Sequence, residues 1–228
     1  MGSNPNIAEV ASLLVEPSRA SILTSLMDDR FHTASELAYM AAIKPQTASF
    51  HLAKLVEGNL VIVEKHGRHR YFHLANQEIA SILESFLAVS RPGEIKSLNQ
   101  SIENKAIRKA RTCYDHLAGQ LGVALTNSMV NMGYLKDGKK EFTVTPNGVE
   151  FFHDFGLNLE DLRKKRRSFS RACLDWSERN HHLAGSLGQA ITSQLLELNW
   201  IDRKPASRAV TITEKGCEEF RRHFNLEI

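Results

Sequence analysis

A thiol, a carboxylate and an imidazole fall within four positions of the segment CYDHLAG, which spans residues 113–119. The groups belong to Cys113, Asp115 and His116, and such side chains bind transition metals, respond to oxidants or move protons. Another cysteine and aspartate, Cys173 and Asp175, precede a second HLAG segment further along the chain. The sequence therefore raises the question of whether these residues form a reactive site or a structural one.

The two segments are copies of one repeat. Residues 116–125 match residues 182–191 at an offset of 66, whereas residues 111–115 match residues 171–175 at an offset of 60. The second copy thus carries six extra residues, WSERNH at 176–181, ahead of its HLAG segment. A site that needs cysteine and histidine at one fixed spacing is not expected to survive this insertion in both copies. The repeat predicts two units packed about a local pseudo-twofold axis.

The interpretation that the repeat favours is structural. Asp115 and Asp175 each precede a helical pattern, and Asp175 and Glu178 have capping-box spacing, so both aspartates are expected to cap helices. Cys113 and Cys173 then lie just before the caps, where small buried thiols pack well.

Two reactive alternatives stay open beside the structural one. Cys113 and Cys173 would form a redox switch or covalent effector site if the pseudo-twofold brings them together. A metal site would draw on Cys113, His116, Cys173, His181 or His182. We assign no catalytic residues, because no nucleophile, base and orienting group recur in both copies, and we assign neither metal ligands nor a cofactor.

Composition narrows the class of protein. A net charge of +3 and 42% hydrophobic residues are ordinary for a globular chain. Residues 1–90 carry 7 basic and 9 acidic side chains, so a DNA-binding surface there must be a local patch. Three widely spaced cysteines argue against a zinc ribbon or a disulfide framework. Since no signal peptide or membrane-spanning run is evident, we expect a cytoplasmic protein without a membrane partner.

The pattern that tells most about the fold lies in the N-terminal part of the chain, before residue 58. Thr33 and Glu36 have the spacing of a capping box, and Pro45 begins another helix one short turn after the first one ends. Small and apolar residues share the buried face of this second helix, namely Ala48, Leu52 and Leu55. Helical patterns at 7–15 and 17–27 come before them. The spacing predicts a helix-turn-helix.

A basic hairpin is expected directly after the helix-turn-helix. Residues 60–63 and 71–74 alternate as strands do, and KHGRHR lies between them, with Gly67 permitting a tight turn. A helix-turn-helix followed by a hairpin with a cationic tip predicts a winged helix.

Residues 7–90 resemble the ArsR/SmtB type of bacterial winged-helix repressor, and PQTASFHLAKLVEGNLV and EKHGRHRYFHL carry the resemblance. A glycine commonly occupies the position of Ala42 in that family. The resemblance implies a homodimer that dimerises through its first helix and the helix at 76–89, and that binds a palindromic operator. Metal-sensing relatives often place ligands before the turn or on the last helix, but residues 36–42 and 76–89 hold neither cysteine nor histidine here.

The candidate DNA contacts lie on the recognition helix, residues 45–57, and on the wing, residues 61–74. Gln46 suits an adenine edge and Phe50 a thymine methyl group, whereas the lysines suit phosphates. The helix contacts are Lys44, Gln46, Thr47, Ser49, Phe50 and Lys54. The wing contacts, which reach phosphates or a minor groove, are Lys65, Arg68, His69 and Arg70.

The sequence thus predicts a mainly α protein with small β wings. An N-terminal winged-helix domain for DNA binding and dimerisation spans residues 1–90, and a linker and helix follow at 91–110. A C-terminal domain at 111–228 holds two winged-helix-like repeats, at 111–157 and 171–228. This tandem arrangement resembles the C-terminal extension of a subset of longer ArsR-type regulators.

The predicted function is sequence-specific regulation of transcription by a homodimeric repressor of double-stranded DNA, whose effector the sequence does not name. One alternative is a redox- or metal-responsive sensor-repressor that uses Cys113 and Cys173, and another is an architectural DNA binder without an effector. The basic run at 163–171 fits contact with DNA phosphates and a solvated face equally well. We expect no enzyme, because no phosphate loop, HExxH or GxSxG motif is found.

Overall fold

The computed structural model describes residues 6–91 and 97–228. The chain forms two compact units, one from residues up to 85 together with 205–207, the other from residues 86–204 and 208–228. The predicted linker falls partly on residues 92–96, which lie outside the described residues, as do residues 1–5 of the predicted N-terminal domain.

The first unit combines helices with one small sheet. Its helices are α1 (Ile7–Val15), α2 (Pro17–Ser25), α3 (Ala34–Met40) and α4 (Pro45–Glu57), and α5 (Gln77–Val89) comes after the sheet, its last four residues being counted with the second unit. Its strands are β1 (His32–Thr33), β2 (Val61–His66) and β3 (His69–Leu74), in the order β1-β3-β2. This element order confirms the predicted winged helix. The helix expected to reach Met27 ends at Ser25, and β1 was not predicted.

Local signals in the sequence set the beginnings of these helices. In α3 both hydrogen bonds of the capping box form, between the Thr33 side chain and the Glu36 backbone and in the reverse direction. Pro17 and Pro45 occupy the first turns of α2 and α4, where a missing N–H costs nothing. Between β2 and β3, Gly67 takes a φ of +59° in the two-residue turn.

The core of the first unit lies beneath α4, which packs on α2 and α3. Its buried face is the predicted one, with Ala48, Leu52 and Leu55 fully buried. Fully buried partners come from α2 and α3, namely Ile22, Leu23 and Leu37. Because one face of α4 is sealed by packing, its opposite face is held outward at a fixed angle.

The second unit contains short strand pairs and six helices among its described residues. The helices are α6 (Leu98–Lys109), α7 (Gly119–Asn131), α8 (Pro146–Asp154), α9 (Leu159–Lys164), α10 (Gly185–Glu197) and α11 (Glu214–Phe224). The strands of the first copy are β4 (Arg111–Cys113), β5 (His116–Ala118), β6 (Leu135–Lys136) and β7 (Thr143–Val144). Those of the second are β8 (Ala172–Leu174), β9 (His181–Leu183), β10 (Ile201–Arg203) and β11 (Val210–Ile212).

Each copy begins with an antiparallel hairpin, so the expectation that Asp115 and Asp175 cap helices is wrong. Asp115 stands in the tight turn between β4 and β5, and α7 begins only at Gly119. Asp175 accepts hydrogen bonds from the backbone N–H groups of Ser177 and Glu178 within the longer β8–β9 loop. The capping-box spacing of Asp175 and Glu178 therefore marks a local turn, and no helix follows it.

Two reciprocal hydrogen bonds join the copies. The side-chain oxygen of Thr126 on α7 accepts from the N–H of Leu183 at 2.9 Å, and that of Thr192 on α10 accepts from the N–H of Leu117 at 2.9 Å. The helix of each copy thus packs on the hairpin of the other. This reciprocal packing relates the two copies by a local pseudo-twofold axis.

The second unit has one continuous apolar core, to which both copies contribute. It includes Trp200, which is 3% exposed, and Phe152, Phe220 and Phe224, which are fully buried. Trp176 lies outside this core and faces the guanidinium of Arg111, 4.4 Å from its ring centre.

Among the described residues, no helix has the length and apolar character needed to cross a bilayer.

Candidate functional site

The outer face of α4 carries most of the predicted recognition residues. Lys44, Gln46, Ser49, Phe50 and Lys54 are exposed, and Thr47 is half-buried. Phe50 is 57% exposed, although an aromatic ring of this kind is normally buried. The Lys54 ammonium lies 4.6 Å from the centre of that ring, so the aromatic face and the cation form one outward patch.

His51 belongs to the opposite face of the same helix. Its side chain is buried, and Nε2 lies 3.4 Å from a carboxylate oxygen of Glu16. Glu16 also caps α2 by accepting a hydrogen bond from the backbone N–H of Arg19. The imidazole therefore fixes α4 against the start of α2, a structural role that agrees with its omission from the contact set.

The wing places its cations at the tip of a regular hairpin. Lys65 pairs with Arg70 and His66 with His69 in the β2–β3 register, and all four side chains are exposed. Arg68, also exposed, follows the glycine of the turn and its Nε lies 3.4 Å from Nε2 of His69. Three permanent cations thus surround one turn, an arrangement suited to the phosphates of a nucleic-acid backbone.

A buried polar network at residues 28–32 ties the wing to the helices. Asp28 is fully buried and contacts both Arg30 and His32, whose Nε2 lies 2.9 Å away. Burial favours the neutral carboxyl, but hydrogen bonds from His32 and charges on His32 and Arg30 outweigh it, so the pKa of Asp28 is lowered. His32 lies in β1, the strand that pairs with β3 of the wing.

His73 of β3 makes a second anchor. Its Nε2 lies 3.0 Å from Asp29, and its Nδ1 lies 2.7 Å from the carbonyl of Leu74. The hydrogen bond to Asp29 raises the pKa of His73 despite the opposing effect of burial. The wing is therefore held at its base by charge-assisted contacts while its tip stays in solvent.

In the second unit, the two N-terminal hairpins bring together residues that the sequence separates. Cys113 lies opposite His116 in the β4–β5 register, and Cys173 lies opposite His182 in the β8–β9 register. One possible ligand atom from each of the four residues lies within 4.8 Å of the others, and all four residues are buried. His181 is exposed and takes no part in this Cys₂His₂ cluster.

The two histidine rings of the cluster face each other and are backed by carboxylates. Their Nε2 atoms are 3.1 Å apart. Nδ1 of His116 lies 3.2 Å from Asp115, and Nδ1 of His182 lies 3.2 Å from Asp175 without the alignment of a full hydrogen bond. Each ring thus presents one nitrogen to an aspartate and the other to its counterpart ring.

Arginines keep both aspartates ionised, in a crossed arrangement. Arg167 pairs with Asp115 through both terminal guanidinium nitrogens, and Arg111, which is fully buried, donates to Asp175 at 2.9 Å. Burial raises the pKa of Asp115, but hydrogen bonds from His116 and Arg167 prevail and lower it to about 2. The pKa of Asp175 is also lowered, since the adjacent His182 imidazole and the guanidinium of Arg111 overcome its burial.

This assembly revises two sequence expectations. The expectation that six extra residues would break a cysteine–histidine arrangement shared by both copies is wrong, because they lengthen the β8–β9 hairpin beyond Cys173 and His182 and leave these two residues opposite each other. The basic side chains of residues 163–171 also differ from one another in their contacts. Arg167 is internal, Arg163 lies over the Phe169 ring at 4.0 Å, and Lys164 pairs with Asp161 at 3.0 Å.

A small cavity also lies between the copies. Its volume is about 10 Å³, and it is lined by equivalent residues of α7 and α10, among them Gly122, Thr126, Gly188 and Thr192. This is about the space that one water molecule requires, so the cavity is too small for an organic effector.

Comparisons with known proteins agree with these features. A family model described as a helix-turn-helix domain matches residues 14–64. The uncharacterized HTH-type transcriptional regulator YdfF of Bacillus subtilis strain 168 is 54% identical over 225 residues, covering 99% of this chain and 100% of that protein.

Solved structures resemble part of the chain. One is the homodimeric winged helix-turn-helix DNA-binding domain of a possible ArsR-family transcriptional regulator from Mycobacterium bovis. It is 25% identical with a TM-score of 0.34, over 36% of this chain and 76% of that one. The transcriptional repressor BigR from Xylella fastidiosa is 18% identical with a TM-score of 0.35, over 38% of this chain and 88% of its own.

Proposed function

Because the chain belongs to the family of HTH-type transcriptional regulators, with a winged helix of the ArsR/SmtB type, we propose that it is a homodimeric repressor that binds a palindromic operator. In this proposal α4 enters the major groove of double-stranded DNA and the β2–β3 wing follows the adjoining backbone. The observation that carries it is the contrast between the two faces of α4, one sealed in the core and the other exposed and polar.

The proposed contacts divide by chemistry. Gln46 bonds an adenine edge and Phe50 packs on a thymine methyl group, and these two side chains carry sequence preference. Thr47 and Ser49 reach bases or phosphates beside them. Contacts to phosphates fix register without reading sequence, and they come from Lys44, Lys54, Lys65, Arg68, His69 and Arg70.

Local charge supports this division. Residues 1–90 carry more acidic than basic side chains, so the N-terminal domain as a whole does not attract DNA. Its lysines and arginines are few, and five of the seven lie on or beside α4 and the wing. Binding then depends on this patch, and the proposed place of action is the cytoplasm, where bacterial DNA lies.

The proposed dimer uses α1 and α5. No described residue of α1 is buried, although Ile7 and Val15 are apolar and about four-fifths exposed. On α5, Ile82 and Phe86 are each 52% exposed and Val89 is 80% exposed. A second copy that covered these side chains would remove apolar surface from water, the main driving force of association.

Titration of operator DNA with the purified full-length protein tests the contact proposal. The operator is first isolated from random duplexes by selection, and affinity is then measured by fluorescence anisotropy at several salt concentrations. Gln46→Ala should weaken operator binding by about 1–3 kcal/mol, or roughly 5- to 150-fold, with little effect on unrelated DNA. Arg68→Ala should weaken all DNA alike and reduce the salt slope by about 1.

Asn104→Ala is the matched control, because Asn104 is an exposed amide on α6, outside the helix-turn-helix and wing. Its affinity should equal that of the wild type. Loss of binding to operator and random DNA alike in Gln46→Ala would contradict the base contact, and unchanged binding in both α4 and wing variants would refute the interface.

Sedimentation equilibrium tests the dimer. The wild type is expected to be a dimer at micromolar concentration, and Phe86→Glu should shift it toward monomer because the exposed ring would be replaced by a charge at the interface. Asn104→Glu adds the same charge on α6 and should leave the dimer intact. A wild-type protein that stays monomeric and binds a single half-site would refute the dimeric repressor.

A further inference from the structure

The Cys₂His₂ cluster of the second unit supports an inference that goes beyond DNA binding. We propose that Cys113, His116, Cys173 and His182 form a tetrahedral Zn²⁺ site on the pseudo-twofold axis, with one thiolate and one imidazole from each copy. The site lies outside the helix-turn-helix and wing, and the inference stands independently of the proposed operator.

The distances suit a tetrahedral ion. Bonds of about 2.3 Å to sulfur and about 2.0–2.1 Å to nitrogen place neighbouring ligand atoms roughly 3.3–3.8 Å apart around a tetrahedron. The two Nε2 atoms are 3.1 Å apart, and all four ligand atoms lie within 4.8 Å of one another. Shifts of about 1 Å or less at the side-chain ends therefore complete the geometry, without movement of the paired strands.

The two histidines carry the strongest part of the inference. When each Nδ1–H points to its own aspartate, both Nε2 atoms turn a lone pair toward the same point 3.1 Å across. A proton on one of the two Nε2 atoms, donated to the other as a hydrogen bond, or a metal ion that both nitrogens ligate would satisfy this contact. An aspartate behind a ligating histidine is the usual support of a zinc site, since it fixes the ring orientation and makes the free nitrogen a better ligand.

Two cysteines beside that point distinguish a metal ion from a shared proton. Thiolate sulfur and imidazole nitrogen in a 2:2 set are ligands that favour Zn²⁺ over hard cations such as Mg²⁺ or Ca²⁺. The charges also balance, because two thiolates neutralise the divalent ion, while each aspartate is already paired with an arginine. On binding, the two thiols release their protons to solvent and no oxidant is needed.

Packing around the cluster is that of a closed structural site. Ala118 and Ala184 complete the buried group with the cysteines. A Cβ added at Gly188 would lie 3.4 Å from Cβ of His116, and one added at Gly122 would lie 3.8 Å from Cβ of His182. The Cβ of each histidine therefore packs close to a glycine of the opposite helix, and the ion would join the two copies. Because all four ligands are buried, the ion is acquired as the unit folds.

A disulfide between Cys113 and Cys173 is the competing use of the same sulfurs. It would give no reason for the approach of the two Nε2 atoms beside the sulfurs, which is why the metal site accounts for more of the geometry. The two uses exclude each other, since a sulfur in a disulfide is no longer a thiolate ligand, and one experiment separates them.

Metal content tests the proposal on the full-length chain. The protein is expressed with zinc in the medium, purified with a reductant but no chelator, and analysed by plasma mass spectrometry. We expect about one zinc per chain. After removal of zinc under denaturing conditions, refolding with Co²⁺ should give the ligand-field bands of a tetrahedral ion and a sulfur-to-cobalt charge-transfer band, which requires no variant to fold.

Variants then locate the site. Cys113→Ser and Cys173→Ser should each weaken zinc binding by at least tenfold, and Asp115→Asn, which removes a positioning residue, by roughly 10- to 100-fold. Cys217→Ser is the matched control, because Cys217 is a half-exposed thiol on α11 outside the cluster, and it should keep full zinc content.

Three results would overturn the proposal. The first is a wild-type chain that contains no zinc and takes up neither Zn²⁺ nor Co²⁺ on refolding. The second is retention of full metal content in both Cys113→Ser and Cys173→Ser. The third is a Cys113–Cys173 disulfide, found by peptide mapping of alkylated protein prepared from zinc-supplied cells without added reductant.

Discussion

Replacement of Ala42 by glycine should stabilise the first unit, and the turn of the helix-turn-helix supplies the reason. Ala42 has a φ of +53°, in the left-handed region. It follows the end of α3, where its N–H donates to the carbonyl of Tyr39 at 3.1 Å and the N–H of Ile43 donates to that of Ala38 at 2.9 Å. This is a Schellman motif, whose left-handed position is usually filled by glycine.

The magnitude follows from two opposing effects. A residue with a Cβ pays about 1–2 kcal/mol in the left-handed region. Glycine removes that strain but has a more flexible unfolded chain, which costs about 0.5–1 kcal/mol. The Ala42 side chain is exposed, so its loss removes no buried contact. We therefore expect Ala42→Gly to raise the free energy of unfolding by about 0.7 kcal/mol, the middle of a range of roughly 0–1.5 kcal/mol.

Ala53→Gly is the matched control, since it makes the same chemical change at an exposed position inside α4. There the helical φ suits alanine, and glycine should lower stability by about 1 kcal/mol. Urea unfolding of the full-length protein, with hydrogen exchange at the α3 and α4 amides to localise the effect, measures both. If the two variants lose stability equally, left-handed strain at Ala42 is not a significant cost and the reasoning is refuted.

Two further predictions concern the copies and the wing. Thr126→Val and Thr192→Val should each cost about 1–3 kcal/mol, because each leaves a buried backbone N–H of the other copy without an acceptor, and clearly unequal losses in urea unfolding would contradict their equivalence. The raised pKa of His73 means that its contribution to stability is full below about pH 6.5, the unfolded value, and is lost as pH rises through the folded pKa. NMR titration should find this pKa above 6.5 in the wild type and lower in Asp29→Asn, and an unchanged pKa would exclude the carboxylate as its cause.

The winged helix could be predicted because its signals are local. A capping box at Thr33, prolines in the first turns of two helices and a glycine at the wing turn each act within a few residues. The apolar face of α4 followed from helical period alone. The candidate DNA contacts were the residues that the helical period places on the face of α4 opposite the core. Five of the six α4 candidates are therefore exposed, and Thr47 is half-buried.

The anchors of the wing could not be found in this way. Asp28, Asp29 and Arg30 form a short polar break in the sequence, and nothing local shows that the Asp28 carboxylate will be fully buried. Its burial depends on β1, a strand of two residues whose partner β3 lies some forty positions away. Elements this short leave no periodic signal, so their pairing is decided by the tertiary fold.

The Cys₂His₂ cluster was misjudged for a related reason. Spacing along the sequence indicates which side chains lie close together when they share a helix, because one inserted residue rotates all later side chains by about 100° around the helix axis. In an antiparallel hairpin, proximity is set by register, and residues added to the loop leave opposite positions opposite. The cysteine and histidine of the first copy face each other across a two-residue turn, and those of the second across a much longer loop. What the two copies share is therefore a cysteine opposite a histidine, which the six extra residues do not disturb. A metal site built on paired strands tolerates an insertion in the loop that joins the strands. The six extra residues of the second copy therefore do not count against such a site.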